Sequence, residues 1–129
     1  MLKNVDKFNE ALGKYAKTEA PEDVHRFLKL FVFELLNRTV DNTPVNTGTL
    51  RGGWQVTINE KPKPVTRVDA DGSKVKQEEG LKIEGMEFGA QVFVSNLVEY
   101  AEFVEFGTER MAARHMLQNA FDELLLLFP

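Results

Sequence analysis

The chain has 129 residues, no cysteine and a formal net charge of −4. This length suits one domain over residues 1–129, and the absence of cysteine excludes disulfides, thiolate catalysis and cysteine-based zinc sites. It also fits assembly in a reducing cytoplasm. The acidic balance gives no electrostatic reason to expect nucleic-acid binding, although a net charge can hide a local basic patch. Without a signal-peptide pattern or an apolar run near the roughly 20 residues that cross a bilayer, we expect no membrane partner.

Two helices are predicted in the first third of the chain. Apolar residues spaced by three and four predict a short helix over 5–16, and Pro21 then opens a longer helix that runs to about Asn42. The longer helix has an apolar stripe, with Leu30 and Phe33 lying off it. Two interpretations fit this second apolar face, namely a buried central helix or a helix shared with a neighbouring subunit. Pro44 then ends the helix, because the residue before a proline is pushed out of the α region.

The middle of the chain alternates between strand patterns and a long polar segment. Residues 51–59 read as a strand, in which Trp54, Val56 and Ile58 alternate with polar residues. Residues 60–80 contain two prolines, an Asp-Gly turn and mixed charges, which is unusual inside a small domain. We expect a protruding arm there, either as a hairpin that orders against a partner or as a flexible surface loop.

The last third is predicted to complete an α+β fold. One strand is expected to contain Leu81 and Ile83 and to extend towards Phe88, and a second strand is expected over 91–95. A short helix over 99–106 ends at Gly107, and a terminal helix follows over about 112–127. The expected architecture is a long N-terminal helix and a C-terminal helix packed on a small antiparallel sheet, with an extended hairpin or arm.

No residues form a convincing catalytic, cofactor or metal site. His25 and His115 are isolated and lack metal-ligand spacing. Glu99, Glu102 and Glu105 recur every three residues, so they share roughly one helical face. Such a row can do general acid–base chemistry, but a solvated acidic face, or one that meets another subunit, is the simpler interpretation. We therefore predict that the protein is not an enzyme and has no cofactor.

Charged residues are the best candidates for subunit contacts. Arg110 and Arg114 follow the glutamate row directly, so patches of opposite sign are neighbours in the sequence. They would suit a head-to-tail contact between copies, or they could form a surface salt bridge within one copy. The candidate interface set comprises Glu99, Glu102, Arg110 and Arg114 together with the basic residues of the 60–80 segment, Lys61, Lys63, Arg67, Lys74 and Lys76.

Two stretches resemble a known family. Residues 43–51, Thr-Pro-Val-Asn-Thr-Gly-Thr-Leu-Arg, resemble the P-x-x-T-G-x-L-R segment of minor tail and neck proteins of siphophages. Residues 98–108, Val-Glu-Tyr-Ala-Glu-Phe-Val-Glu-Phe-Gly-Thr, are similar to the Y-A-x-x-V-E-x-G-T segment of the same family. The chain departs from it at Arg114-His115-Met116-Leu117, where the family often reads R-P-F-L, and the 60–80 segment does not align.

The resemblance implies a structural virion protein in the neck or tail region, assembled in the host cytoplasm. It implies a homo-oligomeric ring of six or twelve copies that joins portal and capsid to the tail, contacts other neck, connector and tail proteins, and lines the DNA passage, where non-specific DNA contact is allowed. The motif residues carried over as fold-forming are Thr47, Gly48, Leu50, Arg51, Trp54, Tyr100, Ala101, Glu105, Gly107 and Thr108. Gly48 is expected to adopt a glycine-specific backbone angle, Leu50 and Trp54 to anchor in the core, and Tyr100 to lie at a buried edge.

Three other functions remain open from the sequence. The protein could be a tail terminator that caps the tail tube, which is a related position in the same particle. It could be a metal-dependent hydrolase or nuclease that uses the Glu99–Glu105 row, or a module that binds a host protein and has no place in the virion.

Overall fold

The computed structural model describes residues 2–127, which form six helices and a two-stranded antiparallel sheet. This confirms the α+β class. The elements in chain order are α1 (Val5–Thr18), α2 (Pro21–Asp41), α3 (Thr49–Gly52), β1 (Trp54–Ile58), α4 (Ser73–Glu84), β2 (Val92–Asn96), α5 (Ala101–Phe106) and α6 (Met116–Leu125).

The long helix α2 lies at the centre of the fold. Its first turn carries Pro21 and two acidic residues, and it ends at Asp41 ahead of Pro44, as predicted. One face buries Leu36 and Val40 completely. The second apolar face is explained within the chain at Phe33, whose ring packs against Gly80 of α4 so closely that a Cβ on that glycine would lie 2.8 Å from Cε2. Leu30, in contrast, stays 61% exposed.

The sheet pairs β1 with β2 in the register Val56 to Val94. Trp54 and Val56 are buried in the main core cluster. They pack there with the C-terminal half of α2, with α4 and with Met116 of α6. A second cluster joins α1, α2 and α6 through aromatic rings. The Phe8 and Phe31 centroids are 4.5 Å apart, and Phe121 meets Phe31 edge-on at 6.0 Å.

The prediction of a strand through Leu81 and Ile83 is wrong, because these residues belong to helix α4. The predicted Asp-Gly turn exists, with Gly72 at φ +81°, but it leads into this helix and not into a hairpin. The helical pattern is hidden in the sequence. The buried positions of α4 are Val75, Glu79, Gly80 and Ile83, so a carboxylate and a glycine occupy half of the face that faces the core.

The segment before α4 contains no hairpin, because residues 60–70 are irregular and hydrogen-bonded to the rest of the domain. The Gln55 side chain both accepts from the Lys63 backbone N–H (3.3 Å) and donates to its carbonyl (2.6 Å). Asp69 is buried and its carboxylate accepts from the Val75 N–H at 2.8 Å, which caps the first turn of α4. Gln55 and Asp69 therefore connect this segment to β1 and to α4.

A buried ion pair joins this segment to the sheet. Glu79 is 2% exposed and accepts from Arg67 (3.0 Å), from Lys82 (2.8 Å) and from the Val56 N–H at the outer edge of β1 (2.8 Å). Arg67 also donates to the carbonyls of Gly52 (2.9 Å) and Trp54 (2.6 Å). The carboxylate and the guanidinium thus satisfy the backbone groups that an edge strand would otherwise leave unpaired.

The pKa of Glu79 predicts how this pair responds to pH. Burial alone would raise the pKa of the carboxyl, but the hydrogen bonds from Lys82, Val56 and Arg67 outweigh it and hold the pKa below its ordinary value of 4.5. A carboxyl with a lowered pKa stabilises the folded state above its unfolded pKa. That contribution is lost as the pH falls from about 4.5 through the folded pKa.

We predict that Glu79→Gln lowers the free energy of unfolding by about 3 kcal/mol at pH 7, because it leaves the Arg67 charge in a mostly buried position without its partner. The loss should shrink as the pH falls below about 4.5, because the stabilisation by the wild-type carboxylate declines from there through its lowered folded pKa. Urea denaturation across this pH range measures both effects. The matched control is Glu78→Gln, which removes a 55% exposed carboxylate 3.5 Å from the same Arg67 and should change stability little. Equal losses in the two variants would contradict the prediction.

Candidate assembly surfaces

The first family-like segment forms a tight turn between α2 and β1. Gly48 has φ +87°, and its carbonyl accepts from the N–H groups of Gly52 (2.9 Å) and Asp69 (3.0 Å). A Cβ at Gly48 would lie 2.7 Å from the Ala70 nitrogen, so both the backbone angle and the space require glycine. The neighbouring Thr47 is exposed, and its hydroxyl lies 2.9 Å from that of Thr49.

The polar side chains that follow this turn are used inside the fold. Arg51 donates to the carbonyls of Thr43 (2.7 Å) and Ala70 (3.0 Å), which ties the end of α2 to the segment that precedes α4. Trp54 donates from its indole N–H to the Thr43 hydroxyl at 2.8 Å. Leu50 and Trp54 are 5% and 4% exposed. These residues brace the domain from within, so their side chains are not available to a partner.

The second family-like segment forms α5 and the turn after it. Ala101 and Val104 are buried, while Gly107 ends the helix at φ +82°, where a Cβ would lie 2.8 Å from the Ala113 nitrogen. The chain then returns alongside α5. Arg114 donates its N–H to the Val104 carbonyl (2.8 Å) and His115 donates to the Glu105 carbonyl (3.1 Å). The terminal helix was expected to begin near residue 112, but it begins at Met116 because this returning stretch is extended.

Glu105 does not belong to an exposed acidic row. Its two carboxylate oxygens accept from the N–H groups of Leu117 (3.0 Å) and Gln118 (3.1 Å), in the first turn of α6. The carboxylate therefore caps α6, and its negative charge lies at the positive end of the helix dipole. Glu99 and Glu102 remain on the surface, so the predicted row of three is reduced to two exposed carboxylates.

The outer face of α5 is aromatic as well as acidic. Tyr100, Phe103 and Phe106 are 44%, 52% and 53% exposed. The expectation that Tyr100 lies at a buried edge is wrong, because Ala101 and Val104 take the inward positions of this short helix. Sequence reasoning missed the aromatic face, although a helical projection of residues 99–106 would have shown it, since the small and aliphatic residues fall on one side and the aromatic rings on the other.

The candidate basic residues divide into two groups. Arg67 and Lys76 are occupied within the chain, by Glu79 and by Asp41 respectively, the latter at 2.6 Å. Five others are exposed, and within residues 2–127 none of them takes part in an ion pair: Lys61, Lys63, Lys74, Arg110 and Arg114. The same holds for Glu99 and Glu102, so the alternative of a salt bridge between the two neighbouring patches is not observed. Thr108 lies on the exposed turn between them, where its backbone pairs with that of Met111.

The two histidines lie far apart in the sequence, one in α2 and one just before α6. His25 lies with Nε2 2.9 Å from the Met86 carbonyl, and His115 precedes α6 with φ +47°. Across the part of the chain that the structure describes, no three His, Asp or Glu side chains are arranged to hold a metal ion. Between residues 2 and 127, none of the helices combines the length and apolar character that a membrane crossing requires.

Comparison with known proteins gives one match. The model of a family described as "Bacteriophage HK97-gp10, putative tail-component" matches residues 6–107, which is more than three quarters of the chain. The match covers residues 43–51 and all but the last residue of 98–108, the two segments that resemble siphophage neck and tail proteins. No curated protein and no solved structure matches the chain significantly.

We predict that Glu105→Ala lowers the free energy of unfolding by about 1–2 kcal/mol, because two N–H groups of α6 lose their acceptor and the helix dipole loses its counter-charge. Chemical denaturation measures this change. Glu102→Ala, on the exposed side of the same helix, is the control and should leave stability nearly unchanged. A loss in Glu102→Ala as large as that in Glu105→Ala would be inconsistent with the capping role.

Proposed function

Because the chain belongs to the HK97-gp10-like family of bacteriophage tail components, we propose that it is a structural, non-enzymatic subunit of the phage neck. In this role it acts as a connector or tail-completion protein. Copies of it form a ring of six or twelve between the portal of the capsid and the tail, and the ring lines the passage for DNA. It contacts the neighbouring neck and tail proteins and assembles in the host cytoplasm.

The distribution of polar groups supports a structural role. Polar side chains of the two family-like segments are bonded within the fold: Arg51 donates from both terminal nitrogens, Trp54 donates from its indole N–H, and Glu105 accepts at both oxygens. Catalysis needs such groups to face a substrate. A metal-dependent hydrolase built on the Glu99–Glu105 row gains no support, since Glu105 is engaged at both oxygens.

The character of the surface supports assembly with other chains. Exposed aromatic residues and unpaired charges of both signs lie close together around α5. Large exposed apolar side chains in a small domain are typical of surfaces that are covered in an assembly. Oppositely charged groups that have no partner in their own chain give such a contact its orientation. This surface, together with the family, is the observation that carries the proposal.

The proposal is tested by deleting the gene from the phage and imaging the products. We expect filled heads and free tails of normal length that fail to join, with joining restored when the protein is supplied in trans. Tails of excessive length would identify a tail terminator. Joined, infectious particles that do not contain the protein would contradict a virion role and favour a module that binds a host protein.

A further inference from the structure

The exposed face of α5 has an apolar centre and one charged end. At about 100° per residue, Phe103 and Phe106 project opposite to the buried Ala101 and Val104. Glu102 lies in the first turn and Glu99 just before it, so both carboxylates lie towards the N-terminal end. Neither has an ion-pair partner within residues 2–127. We call Glu99, Tyr100, Glu102, Phe103 and Phe106 the acidic aromatic face.

A second surface has the complementary character. In the turn after α5, Arg110, Met111 and Arg114 are all exposed, and Met111 is 40% exposed between the two cations. The arginines have no ion-pair partner among residues 2–127. Methionine is a flexible apolar side chain that packs well against aromatic rings, and arginine stacks on them. We call Arg110, Met111 and Arg114 the basic loop.

Among residues 2–127, the two surfaces form no ion pair with each other within one copy. Glu99 precedes α5 and Glu102 lies in its first turn, whereas the basic loop begins after the helix ends. The loop is held against α5, because Gly107 turns the chain and the Arg114 N–H bonds to the Val104 carbonyl at 2.8 Å. Four charges, two of each sign, are therefore without an ion-pair partner among the described residues.

We propose that the acidic aromatic face of one copy binds the basic loop of a second copy. The aromatic rings would pack on Met111 and the arginine stems, while Glu99 and Glu102 would pair with Arg110 and Arg114. Because the contact joins two different surfaces, it is head-to-tail and leaves a free surface of each kind at the two ends. This inference rests on the proposed function, because the same contact repeated from copy to copy would build the proposed ring. It adds the residues that form the contact.

Charge reversal tests the pairing in solution, with purified protein and light-scattering mass measurement at low salt. The variant Glu99→Arg/Glu102→Arg and the variant Arg110→Glu/Arg114→Glu should each associate at least about tenfold more weakly than wild type, because like charges then face each other. An equimolar mixture of the two should regain association, and so should the chain that carries all four changes. Unchanged association in either double variant, or no recovery in the mixture, would overturn the proposal.

The apolar part is tested by Phe103→Ala, with Phe88→Ala as the matched control. Phe88 is an equally large ring, 64% exposed, that lies beside His25 and away from the proposed contact. We expect Phe103→Ala to weaken association at least about tenfold and Phe88→Ala to leave it unchanged. An equal loss of association in both variants would show non-specific hydrophobic association and would count against the acidic aromatic face.

Cross-linking gives a readout that does not depend on affinity. The chain has no cysteine, so Glu102→Cys and Arg110→Cys introduce single thiols with no background. Mixing the two variants under oxidising conditions should give a disulfide-linked pair, whereas each variant alone should give much less. Preferential self-linking of Glu102→Cys, or a wild-type protein that stays monomeric at about 100 µM, would overturn the contact.

Failure of the inference can be told apart from failure of the proposed function. If the phage still needs the gene to join heads to tails while both charge-reversal variants restore joining, the contact is wrong and the neck role stands. If the contact is confirmed in solution but particles assemble without the protein, the contact stands and the neck role is wrong.

Discussion

The fold depends on one buried carboxylate. Glu79 lies where α4, β1 and the irregular segment before α4 meet, and its oxygens accept from all three. A charge in this position is costly unless every lone pair is satisfied, so Arg67, Lys82 and the Val56 N–H are fixed by the same requirement. Because β1 is an outer strand, this arrangement also closes its edge with side chains. Through Arg67, a polar segment with two prolines is attached to the domain.

In the two family-like segments, too, single residues hold neighbouring elements together. Gly48, Arg51 and Trp54 fix the turn that brings α2 to β1, and Gly107 and Glu105 fix the turn that brings α5 to α6. Each segment contributes a glycine with a left-handed backbone and a side chain that holds the next element in place. These members of the two segments serve the scaffold, whereas Thr47, Tyr100 and Thr108 of the same segments are exposed. The aromatic and charged side chains of α5 and of the turn after it are exposed, and they are the side chains that the proposed contact uses.

A helix could be predicted from the sequence where its apolar periodicity is strong. Where polar residues or glycine interrupt that periodicity, the helix could not be predicted. For α2 the stripe, the proline at its start and the proline after its end all agree, so its bounds follow from local rules. For α4 the core-facing positions include Glu79 and Gly80, which carry no apolar signal, so the segment was mistaken for strand and loop. Gly80 is there because Phe33 fills the space, and Glu79 because β1 needs an acceptor. Both reasons are tertiary and leave no trace in local pattern.

By itself, the sequence determined the class of the fold, the central helix, both strands of the sheet and the two segments that place the chain in a phage tail family. These features follow from short-range periodicity, turn chemistry and motif order, which any stretch of chain displays on its own. Only the tertiary structure decided which charges are free. The sequence predicts all of these side chains to be on the surface. In the structure Glu105 caps α6, Arg67 pairs with Glu79, and Lys76 pairs with Asp41. Four charged residues stay exposed: Glu99, Glu102, Arg110 and Arg114. Whether a charged side chain has a hydrogen-bond or ion-pair partner depends on the groups next to it in space, and those groups are often distant in sequence.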